Sequence, residues 1–204
     1  LLGYMGKKIG NGIPVFTGLP KHITPEALMN LGAQLNTSGA YGMYHIVGVT
    51  PEAPDQETAF GGREPERKVT ITDEDLAQIL KTISEEGNRK IDFAMFGCPH
   101  FTLRQVQEIA AKIDGKKLKA EMWILTSSHT KEMAKRMGLL GIIENAGGNI
   151  VEDSCPDQPC WGHLNGKVGV TESPKCAYYP KRRGMDFVVR NLNQCIEAAI
   201  NGEV

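Results

Sequence analysis

Short apolar segments typical of strands alternate along this chain with segments whose apolar residues recur at helical spacing. The strand-like segments lie at 43–49, 91–96, 120–125 and 149–152, and helical patterns lie between or beside them. Strands that alternate with helices at these lengths form parallel sheets with right-handed crossovers. The sequence therefore predicts a layered α/β fold whose sheet is parallel.

Capping residues mark where several of the predicted helices begin. Thr24 and Pro25 precede a helix near 25–36, and Thr102 with Gln105 forms the capping-box pattern before another helix. Further helices are predicted at 72–87, 127–138 and 185–200. The inward-facing residues of the last of these helices are Val188, Val189, Leu192 and Ile196.

Residues 53–68 are rich in proline, glycine and charge and show no apolar period. This composition is typical of a solvated excursion from the fold. We expect the segment to form a flap over a site.

Composition argues against several classes of protein. The 204 residues include 23 basic and 24 acidic side chains, a net charge of −1, so we expect neither nucleic acid nor a membrane as a partner. No apolar run reaches the roughly 18 residues of a membrane span, and the first residues do not resemble a signal peptide. Five irregularly spaced cysteines do not form a secreted disulfide framework. We therefore expect one cytoplasmic α/β domain over 1–204, whose thiols are reduced or bind metal.

A polar or thiol residue closely follows each strand-like segment. In chain order these residues are Thr50, Glu52, Cys98, Ser127, Ser128 and Cys155. The carboxyl ends of parallel strands meet at one edge of a sheet, where the backbone leaves room for a ligand. We expect these side chains to share one site.

The thiols allow more than one interpretation. Cys98 lies in a strand-to-helix turn, where helix amides stabilise a thiolate, so it suits a metal ligand or a nucleophile as well as a structural role. Cys155 and Cys160 have a spacing that matches neither a zinc pair nor a ferredoxin run. Cys195 falls within a predicted helix, where a buried and inert thiol is typical.

The other polar candidates also have two interpretations each. His100 could contact a substrate oxygen or only cap the following helix, and Ser127 with Ser128 could bind an anion or only form an N-cap. Lys175 and the basic run 181–183 could hold a carboxylate or a phosphate. A solvated surface is the usual setting of such a run.

A set of spaced motifs resembles the aconitase X family, and the likeness extends over essentially the whole chain. The motifs lie at 4–18, 45–53, 59–62, 97–100, 152–155 and 173–175. The likeness is to the carboxyl-terminal half of that family's large catalytic subunit. We therefore expect a part of a longer protein, separated here from the amino-terminal half and from the swivelling small domain or subunit.

The resemblance implies an aconitase-like, three-layer parallel-sheet fold and an iron-dependent hydro-lyase. Such a dehydratase acts on a small hydroxy acid such as phosphomevalonate or cis-3-hydroxy-L-proline, and uses an iron or iron–sulfur cluster held by cysteines. By position, Cys98 and Cys155 match the metal ligands of the family, and a third ligand is expected in the other half. Soft thiolates suit an iron centre.

The remaining candidates are assigned to catalysis or to substrate binding, two of them by the resemblance. Ser173 and Lys175 match a motif near the substrate, where Lys175 could pair with a carboxylate, and we assign these two residues and His100 to catalysis. The residues assigned to substrate binding are Thr50, Glu52, Ser127 and Ser128.

Three positions depart from the family pattern and keep other functions open. Ser154 stands where threonine is usual, Cys176 where an aromatic residue is common, and Cys160 lies outside the pattern. One alternative is a non-catalytic redox or interaction domain, which would show reversible oxidation of Cys155 and Cys160. Another is a thiol enzyme that uses Cys98 as its nucleophile, with His100 beside it.

Overall fold

The computed structural model describes residues 1–85 and 87–204. Within it the chain separates into an amino-terminal unit, Leu1–Ile79, and a carboxyl-terminal unit, Leu80–Val204. The sequence predicted one domain over 1–204. The division falls inside a continuous helix, Asp73–Ile83, where composition carries no boundary signal.

The amino-terminal unit is built mainly from helices. Its elements are α1 (Gly6–Ile9), β1 (Val15–Phe16), α2 (Pro25–Gly39), β2 (His45–Ile46), α3 (Gln56–Phe60) and the start of α4 (Asp73–Ile83). The two short strands pair in parallel, Val15 with His45 and Phe16 with Ile46. Helix α2 begins where predicted, with the Thr24 side chain accepting a hydrogen bond from the Ala27 amide.

The strand predicted over 43–49 is much shorter in the structure, where only His45 and Ile46 are extended. The chain turns directly after them, because the amides of Val49 and Thr50 both donate to the Ile46 carbonyl. The Thr50 hydroxyl strengthens this turn by accepting from the Ile46 amide at 3.0 Å. Local turn hydrogen bonds therefore replace the ladder that the β-branched residues suggested.

The predicted flap at 53–68 contains one short helix, α3. The N-cap of this helix is Asp55, whose side chain accepts a hydrogen bond from the Thr58 amide at 2.7 Å. None of the residues of this helix is buried. Without a buried face the helix leaves no apolar period in the sequence, and for this reason pattern analysis does not find it.

The carboxyl-terminal unit contains a five-stranded parallel sheet in the order β5-β4-β3-β6-β7. The strands are β3 (Phe93–Phe101), β4 (Glu121–Thr126), β5 (Gly148–Glu152), β6 (Val168–Thr171) and β7 (Asp186–Val189). The helices of this unit are α5 (Leu103–Ile113), α6 (Ser128–Arg136), α7 (Leu139–Ala146), α8 (Pro174–Tyr178) and α9 (Leu192–Asn201). Two further helical turns lie at Pro159–Leu164 and Pro180–Arg183.

Both faces of this sheet are covered, which gives three layers. Along β3, Ala94 and Phe96 belong to a core shared with α5, α7 and α9, whereas Phe93 and Met95 belong to a second core on the other face. This alternation follows from the period of two along a strand. The prediction of a three-layer, parallel-sheet α/β fold is confirmed.

The helix predicted over 185–200 is wrong in its first part. Val188 and Val189 lie in strand β7, and the helix begins only after Asn191. Asn191 and Gln194 form a complete capping box, so the helix start is fixed there. Val188 and Val189 fit an inward helical face as well as they fit a buried strand, and this ambiguity of short apolar runs explains the error.

Elements α7, β6 and α8 were not predicted from the sequence. They span eight, four and five residues, which is too short for a long periodic pattern. Among residues 1–85 and 87–204, none of the helices combines the length and apolar character that crossing a membrane requires.

Candidate functional site

The strand order places the switch point of the sheet between β3 and β6. The chain runs outward from β3 through β4 to β5 on one side, and continues through β6 to β7 on the other. In open parallel sheets, the crevice for ligands lies at the carboxyl ends of the two strands that flank such a point. Cys98 lies near the end of β3, and Ser173 follows the end of β6 by two residues.

Gly97 allows the end of β3 to bend toward its neighbour. Its φ is +93°, and a Cβ atom at this position would lie 2.0 Å from the Leu125 carbonyl oxygen. The register of β3 against β4 shifts between Phe96 and Phe101, and the Cys98–Pro99 peptide bond is cis. The backbone at Gly97 therefore has no room for a side chain, and the bend that follows presents Cys98 at the edge of the sheet.

Three of the five cysteines line one pocket at this edge, which we call the thiol pocket. Its volume is about 200 Å³. Its lining residues are Cys98, Cys155, Pro156, Asp157, Lys175, Cys176, Tyr179 and Pro180. The structure thus brings Cys98, Cys155 and Lys175 together, although Cys98 lies in β3, Cys155 follows β5 and Lys175 follows β6.

The Cys98 thiol is almost fully buried, with 8% of the residue exposed. Burial raises the pKa of Cys98 to about 12, and the Lys175 ammonium nearby offsets only part of this rise. Burial likewise raises the pKa of Cys176. A nucleophile with the pKa of Cys98 would be protonated at neutral pH, so the structure does not favour the thiol-enzyme alternative.

Ser173 fixes the position of Cys98 through the backbone. Its buried hydroxyl donates a hydrogen bond to the Cys98 carbonyl and accepts one from the Cys176 amide at 3.2 Å. The same serine is therefore the N-cap of α8 and a tie between the ends of β3 and β6. Lys175 lies in the first turn of α8, which directs it into the thiol pocket.

Glu172, which sequence analysis did not identify, is a buried acid at the same edge. The residue as a whole is half-buried, but its Oε2 atom is shielded from solvent and has no hydrogen-bond partner among the described residues. Burial raises the pKa of Glu172 to about 7, and the Gly97 amide opposes this by donating to the carboxylate. An acidic residue between Thr171 and Ser173, directly after an apolar strand, is the sequence signal that could have identified it.

His100 links the end of β3 to the loop that carries Cys155. Its Nε2 atom lies 2.7 Å from the Ser154 carbonyl oxygen. A carbonyl oxygen only accepts, so the ring nitrogen must be the donor. This contact occupies Nε2 within the chain, and His100 is not among the residues that line the thiol pocket.

Ser127 and Ser128 lie at the start of α6, outside the thiol pocket. The Ser127 side chain is the N-cap and accepts from the Thr130 amide at 3.2 Å. The Ser128 amide donates to Asp153 at 3.0 Å, and this bond is the main reason why the pKa of Asp153 is lowered. Asp153 thus provides the anion that we expected this helix start to attract.

Thr50 and Glu52 belong to the amino-terminal unit. The Thr50 hydroxyl bonds to the backbone of Ile46, as described above. Glu52 lines a separate cavity of about 550 Å³, together with His45 and Asn36. Their assignment to substrate binding stays a prediction.

The thiol pocket has the donor chemistry of a soft metal site but not a complete set of ligands. Cys98 and Cys155 both line it, and thiolates are preferred ligands of iron and iron–sulfur centres. Within 1–85 and 87–204, no three His, Cys, Asp or Glu residues converge closely enough to hold a metal ion. The residues fit a centre that receives further ligands from elsewhere.

Profiles of two domains of one family match this chain. The aconitase X second domain matches residues 1–81, and the aconitase X third domain matches residues 91–201. The two matches follow the two units of the structure.

Individual relatives agree with this family. The chain is 33% identical to a cis-3-hydroxy-L-proline dehydratase of Pseudomonas aeruginosa over 98% of its own length and 36% of that protein. It is 36% identical to a phosphomevalonate dehydratase large subunit of Methanocaldococcus jannaschii, over 87% of this chain and 44% of that one. The crystal structure of aconitase X from Thermococcus kodakaraensis in its holo-form has a TM-score of 0.82 and 32% identity, covering 97% of this chain and 50% of that chain.

The chain therefore spans half or less of the length of these relatives. Within that span both domain profiles match, and the sheet, the strand-end motifs and the overall likeness agree with each other. The chain belongs to the aconitase X family.

Proposed function

We propose that this chain forms part of the active site of an iron-dependent dehydratase of the aconitase X type. The observation that supports this most directly is the thiol pocket, where Cys98 and Cys155 lie with Lys175 at the carboxyl edge of the sheet. A hydro-lyase needs a group that assists departure of a hydroxide and a charged residue that holds the substrate acid. The pocket thiols would hold the first group, and Lys175 is the charged residue.

The relatives support a small hydroxy acid as the substrate. Their names specify cis-3-hydroxy-L-proline and phosphomevalonate, and both compounds carry a hydroxyl group and a carboxylate. The Lys175 ammonium can pair with a carboxylate or a phosphate, because it acts as a point charge with three donors. Lys175 alone does not discriminate between the two substrates.

Cys98 and Cys155 are the residues that would hold an iron or iron–sulfur centre. Such a centre would supply a Lewis acid for the leaving hydroxyl. Ser173 holds the Cys98 backbone, and His100 holds the backbone next to Cys155, so the segments that carry both thiols are held before a substrate arrives. Cys98, Cys176 and Pro180 form a buried side of the pocket, and shielding from water there would strengthen the attraction between Lys175 and an anionic substrate.

The 204 residues on their own are expected to be inactive and to hold iron weakly. The relatives are at least twice as long, and the described residues provide no group of three metal ligands. We propose that an amino-terminal half, together with a swivelling small domain or subunit, completes the centre and closes over the substrate.

The test is dehydratase activity of the intact protein that contains these residues, reconstituted with iron without oxygen and assayed with both substrates. Changes around a metal site typically cost 10–100-fold, so Cys98→Ser and Cys155→Ser should each lower activity by at least about 100-fold. Cys160→Ser is the matched control, because Cys160 is exposed and lies outside the pocket. Full activity in Cys98→Ser and Cys155→Ser would contradict the proposal and favour the redox alternative.

A further inference from the structure

The loop that carries Cys155, residues 153–157, is held by contacts on both sides of the thiol. On one side, His100 donates to the Ser154 carbonyl at 2.7 Å. On the other, the Trp161 indole N–H donates to the Cys155 carbonyl at 2.8 Å. These bonds fix the backbone but leave the orientation of the exposed Cys155 side chain undetermined.

Asp157 is clamped by two arginines from another part of the sheet edge. Arg182 donates from Nε to Asp157 Oδ1 at 3.1 Å and from Nη2 to Oδ2, and Arg183 donates from Nε to Oδ1 at 2.9 Å. Arg183 Nη2 also donates to the Asp157 carbonyl at 2.7 Å. The basic run 181–183 thus binds a carboxylate, as its composition suggested, but the carboxylate belongs to this chain.

The clamp is connected to the Cys155 thiol by a direct contact. The Asp157 amide lies 3.5 Å from Cys155 Sγ and donates to it. Asp157 itself lines the thiol pocket, as do Tyr179 and Pro180, which lead into the arginine run. The arginines therefore hold the residue whose amide contacts the thiol.

The exposures of the clamp residues indicate that its main effect is on geometry. The Asp157 side chain is 16% exposed, whereas those of Arg182 and Arg183 are 65% and 32% exposed. Ion pairs with partners this exposed contribute little to stability. Guanidinium forks on a carboxylate nevertheless impose a defined direction.

We propose that Asp157, held by Arg182 and Arg183, is a positioning residue that directs the Cys155 thiol into the thiol pocket and so sets its affinity for metal. This inference rests on the proposed function, because the benefit of orienting Cys155 is a metal site shared with Cys98. Residues that orient a ligand typically change metal affinity by about 10–100-fold when they are removed.

The test is an anaerobic Co²⁺ titration of the intact protein, read from the thiolate-to-cobalt charge-transfer absorption. Asp157→Ala should weaken Co²⁺ binding by at least about tenfold. Its absorption per bound ion should also fall toward that of Cys155→Ser, because one thiolate no longer coordinates. Arg183→Ala removes one of the two arginines that hold Asp157. It should also weaken Co²⁺ binding and lower the absorption per bound ion, but by less than Asp157→Ala does.

Glu132→Ala is the matched control, because it removes another surface ion pair, with Arg136 at 3.0 Å, on helix α6 outside the pocket. It should bind Co²⁺ as the wild type does.

Wild-type affinity and absorption in Asp157→Ala would overturn the positioning role while leaving the metal site intact. A lowered melting temperature with unchanged absorption per bound ion would assign Asp157 to stability and also overturn it. A wild-type protein that binds no Co²⁺ would overturn both this inference and the proposed metal site.

Discussion

Gly97 is the residue at which the geometry of the site depends most on the absence of a side chain. Its φ of +93° disfavours L-residues, and a Cβ would lie 2.0 Å from the Leu125 carbonyl oxygen. Backbone atoms cannot move aside as a flexible side chain can. We expect Gly97→Ala to lower the free energy of unfolding by at least about 2 kcal/mol, measured by chemical denaturation.

Gly115→Ala separates the effect of φ from that of crowding. Gly115 also has a positive φ, of +69°, but no atom lies within 4 Å of the place where its Cβ would be. Its substitution should cost about 1 kcal/mol, the cost of the backbone conformation alone. Equal losses at the two glycines would show that β3 and β4 are not in close contact at Gly97.

The thiols should differ in reactivity according to burial. Cys155 and Cys160 are exposed, whereas Cys98, Cys176 and Cys195 are buried and burial raises the pKa of each of the three. A raised pKa lowers the fraction of reactive thiolate at pH 8. With iodoacetamide and peptide mass spectrometry, Cys155 and Cys160 should be alkylated at least about tenfold faster than the three buried cysteines. Rapid labelling of Cys98 would contradict the structure and restore the nucleophile hypothesis.

At the scale of elements, capping side chains determine where helix α9 begins. The Asn191 side chain accepts from the Gln194 amide at 3.0 Å, and Gln194 accepts in return from the Asn191 amide at 3.3 Å. Asn191→Ala should cost about 1 kcal/mol of stability in thermal or chemical unfolding. Asn193→Ala, on the exposed face of the same helix, should cost nothing, because alanine is the better helix former. A larger loss at Asn193 than at Asn191 would mean that the capping box does not fix this end.

Elements with a complete local signal could be predicted from the sequence. The sequence of helix α5 shows both members of a capping box, Thr102 and Gln105, and an apolar stripe with helical spacing. The structure confirms the capping box and the buried stripe. At Val188 the apolar pattern alone was ambiguous, because a buried strand and one face of a helix can share the same apolar residues. The capping pair Asn191 and Gln194 was the local signal for a later helix start, and the pairing of β7 with β6 places Val188 in a strand.

At the scale of the whole carboxyl-terminal unit, chain topology creates the thiol pocket. Cys98, Cys155 and Lys175 are separated by up to 77 positions in sequence and meet because β3, β5 and β6 are parallel and end at one edge. The sequence predicted the meeting of Cys98 and Cys155, since both follow strand-like segments. It could not show that Asp153 caps helix α6 beside Ser128, or that Asp157 binds the arginines, because those contacts depend on loop conformation.

The most direct test of the account is iron X-ray absorption on the intact, anaerobically reconstituted protein. Cys98→Ser and Cys155→Ser should each lower the number of sulfur atoms bound to iron relative to the wild type, and Cys160→Ser should leave it unchanged. If the sulfur coordination were the same in all four proteins, the thiol pocket would not be the metal site, and the proposed role of this chain in dehydration would be contradicted.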